Sequence, residues 1–168
     1  IWAMQHPDRG VIEPEEMEPA TRLHRAEALC LMGDVRQTKG DLEGAIESFR
    51  EALALGLELT ESNPGDVSIG ESLAKCRARI GGVRRARGEM DEALREFREQ
   101  KAILITLVEL DPDAGEWRFQ LAQYCYSIAD VLAVQGDTAG ALESNAEYRR
   151  LMEELTRALD AAESDKGV

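Results

Sequence analysis

Aromatic side chains are scarce in this chain, at 5% of 168 residues. Any core must therefore be built mainly from Leu, Ala, Val and Ile, although the hydrophobic share of 43% is ordinary for a globular protein. Histidine occurs only at His6 and His24. Neither has a cysteine or a second histidine at metal-ligand spacing, and two isolated imidazoles offer no nucleophile–base pair. The chain is accordingly read as non-enzymatic, with no cofactor and no metal. Cysteine is equally sparse: Cys30, Cys76 and Cys125 are odd in number and widely spaced. They match neither a disulfide framework nor a metal-binding pattern and read as buried thiols in a reducing cytoplasm.

Long apolar runs are missing too. The longest, Ala102 to Val108, is interrupted by Thr106 and falls far short of the ~20 residues of a membrane span. No basic-then-apolar leader opens the chain. Positive charge is in deficit, with 20 Lys and Arg against 33 Asp and Glu, a net −13. That balance argues against a duplex nucleic acid partner, whose phosphates demand cations, and against an anionic membrane surface. The expected setting is cytoplasmic. The first residue is Ile1 rather than Met, so the chain is read as a segment cut from a longer protein or trimmed at a disordered start.

What is present is repetition. "GDLEGAI" at 40–46 is followed 48 residues later by "GEMDEAL" and after another 48 by "GDTAGAL". Stacking 16–63, 64–111 and 112–159 without gaps makes six columns identical, among them Ala26/Ala74/Ala122, Val35/Val83/Val131, Gly40/Gly88/Gly136 and Ala45/Ala93/Ala141. Internal repeats on this scale decide the architecture before any other feature. The domain reading is a linker or remnant at 1–15, repeats at 16–63, 64–111 and 112–160, and a polar tail at 161–168.

Each unit reads as two helices. Ala26, Leu29, Met32 and Val35 recur at three- and four-residue spacing, which marks one apolar helix face. Gly40 then stops the helix in the left-handed conformation, and the acid after it is expected to cap the next helix. Leu42, Ala45, Ile46, Phe49 and Leu53 form a second stripe. Asn63-Pro64-Gly65-Asp66 and Asp111-Pro112-Asp113 break the chain between units.

These columns resemble the tetratricopeptide repeat. A small residue stands in the first helix (Gly33, Gly81, Ala129), an alanine twelve positions on (Ala45, Ala93, Ala141), and an aromatic four later (Phe49, Phe97). The resemblance implies an all-α, right-handed α-solenoid of three helix-turn-helix repeats, about six long helices, in which the small residues let paired helices approach closely. The family's usual period is 34 residues. The 14 extra residues here, shared between two helices, would add nearly two turns to each and keep the stripes in phase. Residues 115–143 look like a long variant found in large bacterial signalling proteins, beside kinase, caspase-like or other effector domains. The family's large first-helix position holds Leu29, Arg77 and Cys125, and its later aromatic position holds Arg36, Arg84 and Leu132. Asn145 replaces the second-helix aromatic in the third unit, as near the end of an array.

In the family the first helices line a concave surface suited to a peptide or partner helix. Its inner-face positions fall on Glu27, Cys30, Asp34 and Gln37, on Lys75, Ala78, Arg79, Gly82 and Arg85, and on Gln123, Tyr126, Asp130 and Ala133. The peptide-binding candidates are Glu27, Asp34, Gln37, Lys75, Arg79, Arg85, Gln123, Tyr126 and Asp130, with Tyr126 as the aromatic anchor. The positions at which chaperone-binding members place Lys and Asn hold Cys30/Asp34, Ala78/Gly82 and Tyr126/Asp130, which disfavours that specificity. The basic run Lys75, Arg77, Arg79, Arg84, Arg85 and Arg87 has two readings: a solvated helix balanced by Glu71, Glu89, Asp91 and Glu92, or a patch for an acidic peptide. Other residues read more plainly. Glu13, Glu15, Glu16 and Glu18 suit a solvated helix start better than a metal site. Gly82 costs helix propensity without an evident packing role. The apolar stretch 102–108 must be covered either by flanking helices or by a second copy, so a homodimer through the second helix of the second repeat, in a spacer or dimerisation scaffold, is the alternative to a peptide-docking module.

Overall fold

The structure is a computed structural model that describes residues 18–166. His6, Glu13, Glu15, Glu16 and the 1–15 linker lie outside the described residues. Six helices follow one another: α1 (Pro19–Thr38), α2 (Leu42–Ser62), α3 (Val67–Ala86), α4 (Met90–Leu110), α5 (Gly115–Val134) and α6 (Thr138–Lys166). No strand occurs among the described residues. Helices α1, α3 and α5 each span 20 residues, and α2 and α4 each span 21. Each begins one 48-residue period after its counterpart. Packing is closest within α1/α2, α3/α4 and α5/α6, then between α2 and α3 and between α4 and α5, while α1 also touches α3. This is the expected all-α helical repeat solenoid. The last helix continues to Lys166, through most of the segment set apart as a tail.

The intra-repeat turn is built identically three times. Gly40, Gly88 and Gly136 have φ of 82°, 79° and 82°. In the first turn the Gly40 amide donates to the Gln37 carbonyl and the Asp41 amide to the Arg36 carbonyl; Gly88/Glu89 and Gly136/Asp137 repeat the pattern. That is the Schellman arrangement, which satisfies the carbonyls orphaned at a helix end.

The acid that follows behaves less uniformly. Asp41 and Asp137 accept from the amides of Gly44 and Gly140. Glu89 makes no cap and instead binds Arg84 and Arg87. The fourth residue of the turn explains the difference. A Cβ on Gly44 or Gly140 would collide with the capping aspartate, and the corresponding position in the second unit is Glu92, where the carboxylate turns elsewhere.

Paired helices meet at the small-residue column. A Cβ on Gly33 would overlap the Phe49 ring, and one on Gly81 would lie 2.5 Å from Phe97 Cε1. In the third unit alanine is present and the opposing residue is Asn145. Ala45, Ala93 and Ala141 are all buried beside these contacts. Two positions that depart from the family pattern are used for polar ties instead. Arg36 donates to the Gly44 carbonyl and Ser48 Oγ, and Arg77 pairs with Glu96 at 2.8 Å.

One expectation fails at the start of the array. Met32 and Val35 are 43% and 53% exposed, whereas Ile80 and Val83, in the same columns, are 1% and 0% exposed. Those columns face the second helix of the preceding unit, and among the described residues none precedes α1. The mirror case is Leu142, exposed where Ile46 and Leu94 are buried, because no described helix follows α6.

The 102–108 stretch is covered by its neighbours on one face, while Ala102, Ile105 and Thr106 are exposed. Leu104 and Leu107 are buried, Ile103 and Val108 pack against cores shared with α3 and α5, and Ile105 is the large apolar residue left exposed.

Two glycines make opposite predictions. A Cβ on Gly88 would meet nothing within 4 Å, but its φ is +79°, so Gly88→Val should lower stability by about 1–3 kcal/mol through backbone strain alone. Gly82 is helical with open space around it, so Gly82→Ala should raise stability by up to about 1 kcal/mol. Thermal melting of the two variants against the parent checks both signs.

Candidate functional site

First helices pair across repeats at a separation slightly shorter than the period. Asp34 and Arg79 are 45 residues apart, Cys30 and Cys76 46, Glu71 and Trp117 46, and Arg85 and Asp130 45. This shortfall of two to three residues from 48 is the stagger at which side chains of successive first helices meet.

The contacts neutralise most of the basic run. Arg79 forks onto Asp34 at 2.6 and 2.8 Å, and this bidentate carboxylate holds the guanidinium above its ordinary pKa against the effect of burial. Arg77 takes Glu96, Arg84 takes Glu89, Arg85 takes Asp130 at 3.0 Å, and Arg87 takes Glu43 and Glu89. The balanced-helix reading therefore holds for five of six cations, but with partners drawn largely from other helices. Of the four acids named from sequence only Glu89 serves. Glu71 accepts from Trp117 Nε1 and Asp91 from Gln135. Lys75 is exposed and is the one free cation of the run among the described residues.

Two cavities lie along the first helices. One of about 360 Å³ is lined by Glu27, Cys30 and Leu31 of α1 and by Ser68, Glu71, Ser72, Lys75 and Arg79 of α3. The other, about 420 Å³, is lined by Phe119, Gln123, Tyr124, Tyr126 and Ser127 of α5 with Tyr148 of α6. Gln123, Tyr126 and Ser127 stand two periods after Glu27, Cys30 and Leu31, so the two cavities share three columns, the first lying between α1 and α3 and the second between α5 and α6. Tyr126 is 57% exposed, and its ring lies 5.7 Å from that of Tyr148.

The candidates thus separate into groups. Glu27, Lys75 and Arg79 share the first cavity, and Gln123 and Tyr126 share the second. Asp34 and Asp130 are occupied by Arg79 and Arg85. Gln37 is exposed and lines neither cavity. Leu31, Phe119 and Tyr148 line them without having been singled out, and Glu71, named only as a counter-charge, lines the first. The same stagger brings Cys30 and Cys76 to 2.9 Å, a pairing that their spacing alone did not suggest. His24 is exposed on α1, Glu18 precedes α1 without a side-chain cap bond, and among the described residues no group of three His, Cys, Asp or Glu could hold a metal ion. No described helix is long and apolar enough to cross a membrane.

Residues 26–55 match a family model described as tetratricopeptide repeat. The matched span centres on the Gly40 turn and leaves Pro19–Arg25 of α1 and Gly56–Ser62 of α2, seven residues each, outside it. No curated protein matches the chain.

The Asp34–Arg79 pair joins the first two units on partly exposed side chains. A double-mutant cycle with Asp34→Asn and Arg79→Gln should return a coupling of about 0.5–1 kcal/mol that shrinks as salt is raised. Coupling near zero at low salt would contradict the geometry.

Proposed function

We propose that the chain, whose residues 26–55 match the tetratricopeptide repeat, a unit that generally serves protein–protein interaction, is a non-enzymatic docking module of a larger bacterial, cytoplasmic regulatory protein. It holds a peptide or partner helix in the groove lined by α1, α3 and α5. The observation that carries this reading is the recurrence of a cavity on one set of columns, Glu27/Cys30/Leu31 and Gln123/Tyr126/Ser127. A surface that repeats its concavity along a solenoid suits an extended segment rather than a compact small molecule.

The ion pairs refine the ligand. With Arg79 and Arg85 committed to Asp34 and Asp130, the groove offers Lys75 as its free cation, and Tyr126 with Phe119 and Tyr148 as its aromatic anchor. A fitting segment presents a carboxylate to Lys75 and an apolar side chain to the aromatic cavity. The charge contact sets on-rate and register, and the aromatic burial supplies most of the affinity.

A peptide array should select such segments. Titration of a selected peptide should then show Lys75→Glu and Tyr126→Ala each weakening binding about tenfold, the 1.4 kcal/mol of a modest hot spot. Binding indifferent to both variants would exclude the groove. Loss confined to an Ile105→Asp variant would favour an interface on α4.

A further inference from the structure

Cys30 on α1 and Cys76 on α3 approach to 2.9 Å between sulfurs, buried at 7% and 0% exposure. That is less than an ångström beyond the ~2.05 Å of a disulfide. Both are free thiols. They are not equivalent. Cys30 lines the α1–α3 cavity, together with Lys75 and Arg79, whereas Cys76 is closed into the core formed by α1, α2 and α3.

The electrostatics divide the pair in the same sense. The hydrogen bond between the two sulfurs and the positive charge of Arg79 lower the Cys30 pKa, against burial. The same hydrogen bond and burial raise the Cys76 pKa. Of the two, the sulfur that faces the cavity gives up its proton more readily. Cys125 provides the contrast. It is buried in a different core, burial pushes its pKa up to about 11, and neither of the other thiols lies beside it.

We propose that Cys30 and Cys76 form a hydroperoxide-reactive dithiol, in which peroxide entering the α1–α3 cavity oxidises Cys30 and Cys76 converts the product to a disulfide that staples the first repeat to the second. The Cys30 thiolate attacks one peroxide oxygen; the S–O bond forms, the O–O bond breaks, and hydroxide leaves to become water with the proton that Cys30 released. The Cys76 sulfur then attacks the Cys30 sulfenic acid; the S–S bond forms, the S–O bond breaks, and the departing hydroxide takes the Cys76 proton as a second water. Two thiols lose two electrons and two hydrogens, and one hydrogen peroxide becomes two waters. Access favours a small oxidant, because only the edge of Cys30 reaches the cavity, and a thiol stabilised as thiolate beside a resolving partner is the pattern of an oxidisable site. The disulfide closes a loop between residues 46 apart, so the oxidised chain is more stable. The site stands whether or not the groove binds a peptide.

The test is hydrogen peroxide on the reduced, folded chain, followed by alkylation in denaturant and peptide mapping by mass spectrometry. The expected product is a Cys30–Cys76 disulfide, reversed by dithiothreitol, with Cys125 alkylated and the melting temperature raised by several degrees. The Cys76→Ser variant, checked for folding by circular dichroism, should stop at a Cys30 sulfenic acid captured by dimedone. Full alkylation of Cys30 and Cys76 after a peroxide dose that oxidises an exposed model thiol would overturn the proposal. So would pairing that is spread equally over Cys125. The wild-type map decides the matter even if the serine variant fails to fold.

Discussion

In the first two repeats a phenyl ring lies where a side chain would otherwise be. Phe49 occupies the Cβ space of Gly33, and Phe97 that of Gly81. This contact fixes how near the two helices of a hairpin come. The depth of that approach buries the alanine column and sets the direction in which the remaining faces point. The third unit keeps the approach with different chemistry, since Ala129 is accommodated once Asn145 replaces the ring. Interiors pack at crystal-like density, so one extra methyl at such a contact must be offset by a smaller partner.

The stagger between repeats sets the character of the groove. First helices meet their neighbours at 45 and 46 residues rather than 48. The displacement delivers Arg79 to Asp34 and Arg85 to Asp130, so a helix that looks strongly basic on its own is almost neutral in place. These are partly exposed pairs, each worth little alone. Their larger effect is to decide which charges remain available: Lys75 stays free while its neighbours do not. The same displacement sets Cys30 against Cys76, so the groove lining and the thiol pair have one geometric origin.

The two ends of the described array are complementary halves of one interface. α1 exposes Met32 and Val35, the columns that α3 and α5 bury, and α6 exposes Leu142, the column that α2 and α4 bury. Solenoid stability comes from nearest neighbours, so apolar residues at the ends of the described array lack the cover that identical columns receive inside. A stripe read from periodicity is correct about chemistry and silent about whether a neighbour is present.

The sequence by itself determined the repeat, its period, the helix pairs and their turns, because each depends on local rules. Glycine after a helix, proline between units, and apolar spacing of three and four act within a few residues and survive in the letters. It also identified the close-packing column, because two small residues and an aromatic recur at fixed offsets. Only the tertiary structure decided which arginines are spent and which thiols meet. Both depend on how neighbouring first helices are offset across repeats, and that offset is set by side-chain packing between repeats, which no spacing within a single repeat records.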